Sequence, residues 1–115
     1  MTILIKELSD EEFQVTVNAK NSTSHNVTLT DDTHQNLTNG KVSKKELIEF
    51  SFKFLLEREP NTSILSSFEL SVISRYFPEY IKTVKEWVLK IDKRKKRNAK
   101  NYVSRTVWIL IYLLN

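Results

Sequence analysis

The sequence contains no cysteine and only one glycine, two prolines and two histidines among its 115 residues. Without thiols, the chain forms no disulfide, no thiolate-bound zinc or iron–sulfur site and no cysteine nucleophile. A single glycine, Gly40, is too few for a glycine-rich phosphate-binding loop. These absences exclude several classes of enzyme and metalloprotein, and we expect neither a cofactor nor a metal ion.

The two histidines, His25 and His34, show no catalytic or metal-binding pattern. Neither lies at a metal-ligand spacing from another histidine, and the carboxylates of Asp31 and Asp32 before His34 are typical of a helix start. No serine stands in a nucleophile-elbow sequence. We therefore predict that the protein is not an enzyme.

Long apolar runs are also missing. The start of the chain, residues 1–7, has three consecutive apolar residues before a charge, which is not the pattern of a secretory signal. The longest run, residues 107–114, has eight apolar residues, whereas about 20 are needed to cross a bilayer. We expect a cytoplasmic protein for which a membrane partner is disfavoured.

Charge is divided unevenly along the chain. Residues 1–81 carry eight basic and twelve acidic side chains, a net charge of −4, and residues 82–115 carry ten against two, a net charge of +8. The densest cluster is the run Lys93, Arg94, Lys95, Lys96 and Arg97. This asymmetry predicts an anionic partner for the C-terminal part or attraction between the two parts.

Strand signals come first in the chain. Residues 13–20 alternate between apolar and polar side chains, and residues 25–30 repeat the alternation after a polar turn at 21–24. Two such strands joined by a short turn predict an antiparallel hairpin.

Helix signals fill the chain from residue 31 to about residue 92. The strongest is Ser43-Lys-Lys-Glu46, a capping box that begins an apolar-rich helix running to about Arg58, before Pro60. Weaker helical patterns cover 31–37, 61–68, 71–77 and 78–91.

Together these patterns predict an α+β fold in which an N-terminal antiparallel β-hairpin packs on three to five helices. We expect a single α+β domain over residues 1–92. Residues 93–115 form a C-terminal extension, first basic and then apolar, which we expect to pack on that domain.

The segment 26–58 resembles a DNA-binding family. Its strand and acidic helix start, Asn26-Val-Thr-Leu-Thr-Asp-Asp, followed by Ser43-Lys-Lys-Glu-Leu-Ile, resemble the ribbon-helix-helix proteins of the Arc, MetJ and CopG type. In that family, strands from two chains pair into a ribbon that enters the major groove. The resemblance implies a homodimer that binds duplex DNA as a regulator or antitoxin. The base-reading positions it implies are Asn26, Thr28 and Thr30, and the phosphate clamp it implies is Ser43, Lys44 and Lys45.

A second resemblance covers residues 40–80, from Gly40-Lys-Val-Ser through Phe-Leu-Leu-Glu-Arg-Glu-Pro to Phe77-Pro-Glu-Tyr80. This stretch is similar to a family of small bacterial proteins of unknown function. It implies a bacterial origin and a compact α/β unit that ends near Tyr80, and it implies no activity.

Two functional hypotheses remain open. In the first, the protein is a DNA-binding regulator or antitoxin, and the basic run 93–97 binds the nucleic-acid backbone. In the second, the hairpin simply packs on helices and the protein is a non-catalytic module that binds another protein. For the basic run itself, packing on the domain and contact with an anionic membrane surface are the alternatives to nucleic-acid binding.

Overall fold

The computed structural model describes residues 1–96. Arg97 and the apolar run 107–114 therefore lie outside the described residues. The strands are β1 (Thr2–Glu7), β2 (Glu12–Asn18), β3 (Thr23–Thr28) and β4 (Ser67–Glu69). The helices are α1 (Asp31–Thr38), α2 (Lys44–Leu56), α3 (Ile73–Tyr76) and α4, whose described part spans 80–96. Single 3₁₀ turns lie at Asn61–Ser63 and Leu70–Val72.

The four strands form one mixed sheet in the order β1-β2-β3-β4. Strands β1, β2 and β3 form an antiparallel meander, and β4 pairs with β3 in parallel. The predicted α+β class is confirmed, and the predicted hairpin is only part of a larger sheet. The strand β1 was missed because Ile3, Leu4 and Ile5 are all apolar and show no alternation, although Leu4 alone faces outward.

Alternation in β2 separates the two faces of the sheet. Phe13, Val15 and Val17 are buried, whereas their neighbours Gln14 and Thr16 are only partly covered. The buried face joins a core cluster to which helix α2 contributes five apolar side chains: Leu47, Ile48, Phe52, Phe54 and Leu55. The apolar-rich α2 therefore lies at the centre of the core, as its sequence predicts.

Both ends of the α1–α2 connection are fixed by local chemistry. The predicted capping box is confirmed, because Ser43 Oγ accepts from the Glu46 amide at 3.0 Å and Glu46 Oε1 accepts from the Ser43 amide at 3.2 Å. Helix α1 is followed by Asn39 and Gly40, which have φ values of 53° and 73°. That left-handed backbone accounts for the single glycine of the chain.

The helix predicted over 61–68 is wrong. Only one 3₁₀ turn forms, and the chain then enters β4. The Asn61 side chain does not cap a helix; its amide donates instead to the Asn21 carbonyl at 2.7 Å and to Thr23 Oγ1 at 2.9 Å. These bonds hold residue 61 against the β2–β3 turn and direct the following residues along β3.

Helix α4 lies antiparallel to α2. Tyr80 packs edge-on against Phe54 at 5.2 Å between ring centroids, and Trp87 stacks on Phe50 at 4.2 Å. Further along, α4 reaches the residues that precede α2, where Lys95 Nζ approaches the Lys41 carbonyl at 3.4 Å. Among residues 1–96, no helix has the length and apolar character needed to cross a membrane.

Candidate nucleic-acid interface

The strand implied to read bases, β3, is an interior strand. It is hydrogen-bonded to β2 along one edge and to β4 along the other. The ribbon that the family resemblance implies requires a free edge, because the strand must pair with a second copy. While β3 keeps this place in the sheet, it offers no free edge for that pairing.

The three implied base-reading side chains differ in their surroundings. Asn26 is exposed on the outer face of the sheet. Thr28 Oγ1 donates to the Glu12 carboxylate at 3.0 Å, and Thr30 Oγ1 accepts from the Thr33 amide at 3.1 Å as the cap of α1. Two of the three hydroxyl or amide groups are thus already engaged within the chain.

The surface beside Thr28 and Thr30 is acidic. The Glu11 carboxylate accepts from the Asp31 backbone amide at 2.9 Å, which brings these two acidic residues together at the start of α1. Glu12 is the hydrogen-bond partner of Thr28. A cluster of carboxylates repels phosphate, so this end of β3 is electrostatically unfavourable for DNA.

At the start of α2, the three implied phosphate-clamp residues have separate roles. Ser43 is used as the helix cap. Lys44 is only 16% exposed, and its Nζ pairs with Asp31 Oδ1 at 2.5 Å and donates to the Asp10 carbonyl at 2.7 Å. The hydrogen bond from Lys44 holds the pKa of the Asp31 carboxyl below its ordinary value. Lys44 therefore connects α2 to α1 and the β1–β2 turn, whereas Lys45 is exposed.

The fold joins two basic groups that are far apart in sequence. Lys95 Nζ approaches the Lys41 carbonyl, and Lys41 Nζ lies 3.6 Å from Asp92 Oδ1. Lys96 also pairs with Asp92, at 3.3 Å. We call the resulting surface the basic end, and its exposed members are Lys41, Lys93, Arg94, Lys95 and Lys96.

The basic end lies beside the amino terminus of α2. The positive end of that helix dipole adds to the potential of the lysines and the arginine, so this end can attract anions. Of these residues, Lys41 was not singled out from the sequence, because only the packing of α4 along α2 brings it to the basic run.

A groove opens at the opposite end of α2. Its volume is about 280 Å³, and apolar side chains form most of its lining: Leu55, Ile64, Leu65, Phe68, Tyr76 and Phe77. Leu65 is 47% exposed and Tyr76 is 66% exposed. Sequence patterns did not indicate this groove, because its walls come from α2, the irregular segment after it, β4 and α3.

Within residues 1–96, neither histidine ring forms a hydrogen bond to a carboxylate. The buried His25 donates from Nδ1 to the Leu65 carbonyl at 2.7 Å, and its Nε2 lies 2.8 Å from Thr23 Oγ1. His34 Nε2 bonds to the Val42 carbonyl at 2.7 Å. Both rings thus connect secondary structure elements. Within residues 1–96, no three histidine, aspartate or glutamate side chains are grouped to hold a metal ion.

A buried hydroxyl pair joins α2 to α4. Ser51 Oγ lies 2.7 Å from the Leu47 carbonyl and 2.6 Å from the Tyr80 hydroxyl. Both side chains are fully buried, and burial raises the pKa of Tyr80 well above its ordinary value.

Comparison of the chain with protein-family models, with curated proteins and with solved structures found no match.

Proposed function

We propose that the protein is a non-catalytic DNA-binding protein that contacts the phosphate backbone through the basic end. The observation that carries the proposal is the meeting of Lys41 with the exposed basic residues 93–96. Duplex DNA is a polyanion that a cluster of exposed cations can bind, since each neutralised phosphate releases counterions.

Binding through the basic end supplies affinity more than sequence preference. The side chains that reach phosphates position a protein on DNA, whereas base contacts specify the site. Asn26, Thr28 and Thr30 are part of the proposal as the base-reading positions. Because carboxylates surround Thr28 and Thr30, we expect their contribution to sequence preference to be weak.

The regulator or antitoxin role in a bacterial cytoplasm extends this proposal and rests on the ribbon-helix-helix resemblance. We propose that this DNA-binding protein acts as a homodimer. A dimer built by strand pairing would use the outer edge of β1, since within residues 1–96 β1 pairs only with β2 and, with six residues, is the longer edge strand of the sheet.

The test is a charge replacement on the basic end. Changing Lys93, Arg94, Lys95 and Lys96 together to Gln lowers the formal net charge from +4 to zero. If each residue contacts one phosphate, the log–log dependence of the binding constant on salt should flatten by up to about 3.6, or about 0.9 for each contact. Fluorescence anisotropy of a labelled duplex over a salt series measures this slope.

A matched control changes the same amount of charge elsewhere. Replacing Lys6, Lys20, Lys53 and Lys82 with Gln also brings the net charge to zero, and none of these lysines belongs to the basic end. The control should keep most of the affinity. Equal losses in both variants would show that only net charge matters, and an unchanged slope in the first variant would refute binding at the basic end.

A second candidate function is that of a protein-interaction module, and the apolar groove favours it. Exposed Leu65 and Tyr76 at one cavity form the kind of patch that marks an interaction site. For this function we expect the parent protein and the variant altered at 93–96 to bind the same partner protein. Tyr76→Glu should abolish that binding. A partner still captured by Tyr76→Glu would exclude the groove.

A further inference from the structure

In the groove, the exposed apolar side chains of Leu65 and Tyr76 adjoin a cavity of about 280 Å³. The other strongly exposed apolar residues of the sheet, such as Leu4, and of α4, such as Leu89, do not line it. Single exposed apolar residues are ordinary on protein surfaces, whereas a cavity with an apolar rim indicates a binding site. At about 280 Å³ the groove is just below the usual size of small-molecule sites, which favours the side chains of a peptide as its occupant.

We propose that the groove binds the apolar segment 107–114 of the same chain. The chemistry of the two matches, since the segment is Val-Trp-Ile-Leu-Ile-Tyr-Leu-Leu and the groove is lined by aliphatic and aromatic side chains. Charge matches as well. Arg105 precedes the segment, Glu59 lies at the groove, and residues 1–81 have a net charge of −4.

The length of the chain permits this contact. The described part of α4 runs from residue 80, near the groove, to residue 96 at the basic end. At 1.5 Å per residue this helix spans about 25 Å. Residues 97–106 can cover at most about 33–36 Å, so they can return the segment to the groove. Because the segment is tethered, its effective concentration at the groove is on the order of millimolar, which favours the same chain over a second copy.

This contact is independent of DNA binding at the basic end, because the two surfaces lie at opposite ends of α2. It bears directly on the second candidate function. An external apolar partner would have to displace residues 107–114 before it could enter the groove.

Disulfide trapping tests the proposal in the full chain. Because the sequence has no cysteine, two introduced cysteines are its only thiols. We expect Leu65→Cys with Leu110→Cys to oxidise, at micromolar protein, mainly to a monomer with an internal disulfide that migrates faster on a non-reducing gel. The matched control, Leu4→Cys with Leu110→Cys, keeps the same tail position and places its partner on the outer face of the sheet, where we expect little internal disulfide.

Each outcome of the trapping experiment either supports or contradicts the proposal. An internal disulfide favoured at position 65 over position 4 supports the proposal. Disulfide-linked dimers as the main product would assign the groove to a second copy, and equal or absent trapping at both positions would overturn the proposal.

Fluorescence gives a second readout that needs no cysteine. In a Trp87→Phe variant, Trp108 is the one remaining tryptophan. Its emission should be blue-shifted relative to the unfolded chain in guanidinium chloride, and a further Tyr76→Glu change should shift it to the red. Addition of anionic phospholipid vesicles should leave the spectrum unchanged, since a further blue shift with vesicles would assign the segment to a membrane surface.

Discussion

The buried pair Ser51 and Tyr80 allows a prediction about the direction of a hydrogen bond. The Ser51 hydroxyl has one hydrogen and two neighbouring oxygens, and the Leu47 carbonyl can only accept. Ser51 therefore donates to Leu47, and Tyr80 donates to Ser51. The two partners of this bond are consequently not equivalent when each is removed.

Ser51→Ala leaves the Tyr80 hydroxyl buried without a partner, which costs about 1–3 kcal/mol in the free energy of unfolding. The better helix propensity of alanine offsets up to about 0.5 kcal/mol of that cost. Tyr80→Phe instead removes a donor and leaves Ser51 bonded to Leu47, so we expect a loss of about 0.5–1.5 kcal/mol. The double variant should be more stable than Ser51→Ala, because it carries no orphaned hydroxyl.

Urea unfolding of the four proteins, followed by circular dichroism, measures the cycle. The coupling between the two changes should exceed the roughly 0.5 kcal/mol within which independent sites add. If Tyr80→Phe proved more damaging than Ser51→Ala, or if the effects of the two changes simply added, the assigned donor direction would be wrong.

The same tyrosine makes the stability of the folded chain depend on pH in the alkaline range. Its raised pKa in the folded state means that the folded chain holds the phenol proton more tightly than the unfolded chain, in which tyrosine titrates near 10. The stabilisation is complete below that pH and is lost as the pH rises above about 10. Tyr80→Phe should remove this part of the alkaline destabilisation, and urea midpoints at pH 8 and at higher pH measure it.

Three further changes address local structure, and thermal or urea unfolding measures each. Ser43→Ala should cost about 1 kcal/mol because it removes the acceptor of the capping box, and a loss near zero would contradict that role. Gly40→Ala should cost about 1–2 kcal/mol because φ is 73°, although a Cβ there would have room; Asn39→Gly, at a φ of 53°, should cause no loss. His25→Leu should cost about 0.5–1.5 kcal/mol, since it removes the part-buried hydrogen bond from the ring to the Leu65 carbonyl, and a variant as stable as the parent would show that another group replaces the ring.

Features that depend on neighbouring residues could be predicted from the sequence. The alternation of β2 and the capping box of α2 each depend on a few neighbouring residues, and the structure contains both. The strand β4 has only three residues and forms by pairing with β3, a contact between distant parts of the chain. Its sequence therefore carried no strand signal of its own.

The candidate site likewise has residues that the sequence indicates and residues that only the packing reveals. The charges at 93–96 are evident in the sequence, but their neighbour Lys41 is not, because only helix packing brings it there. The sequence likewise does not indicate the structural role of Lys44. The ribbon-helix-helix resemblance implies a phosphate contact for it, whereas in the fold it is paired with Asp31 and the Asp10 carbonyl.

The parallel pairing of β3 with β4 has a consequence for the order of folding. The meander β1–β3 closes only short turns, whereas Asn26 and Ser67 enclose a loop of roughly 40 residues, whose closure costs about 3 kcal/mol in chain entropy. Three residue pairs hold that contact. We therefore expect β4 to join the sheet last and to leave it first, so that one wall of the apolar groove opens in fluctuations that leave the meander protected from hydrogen exchange.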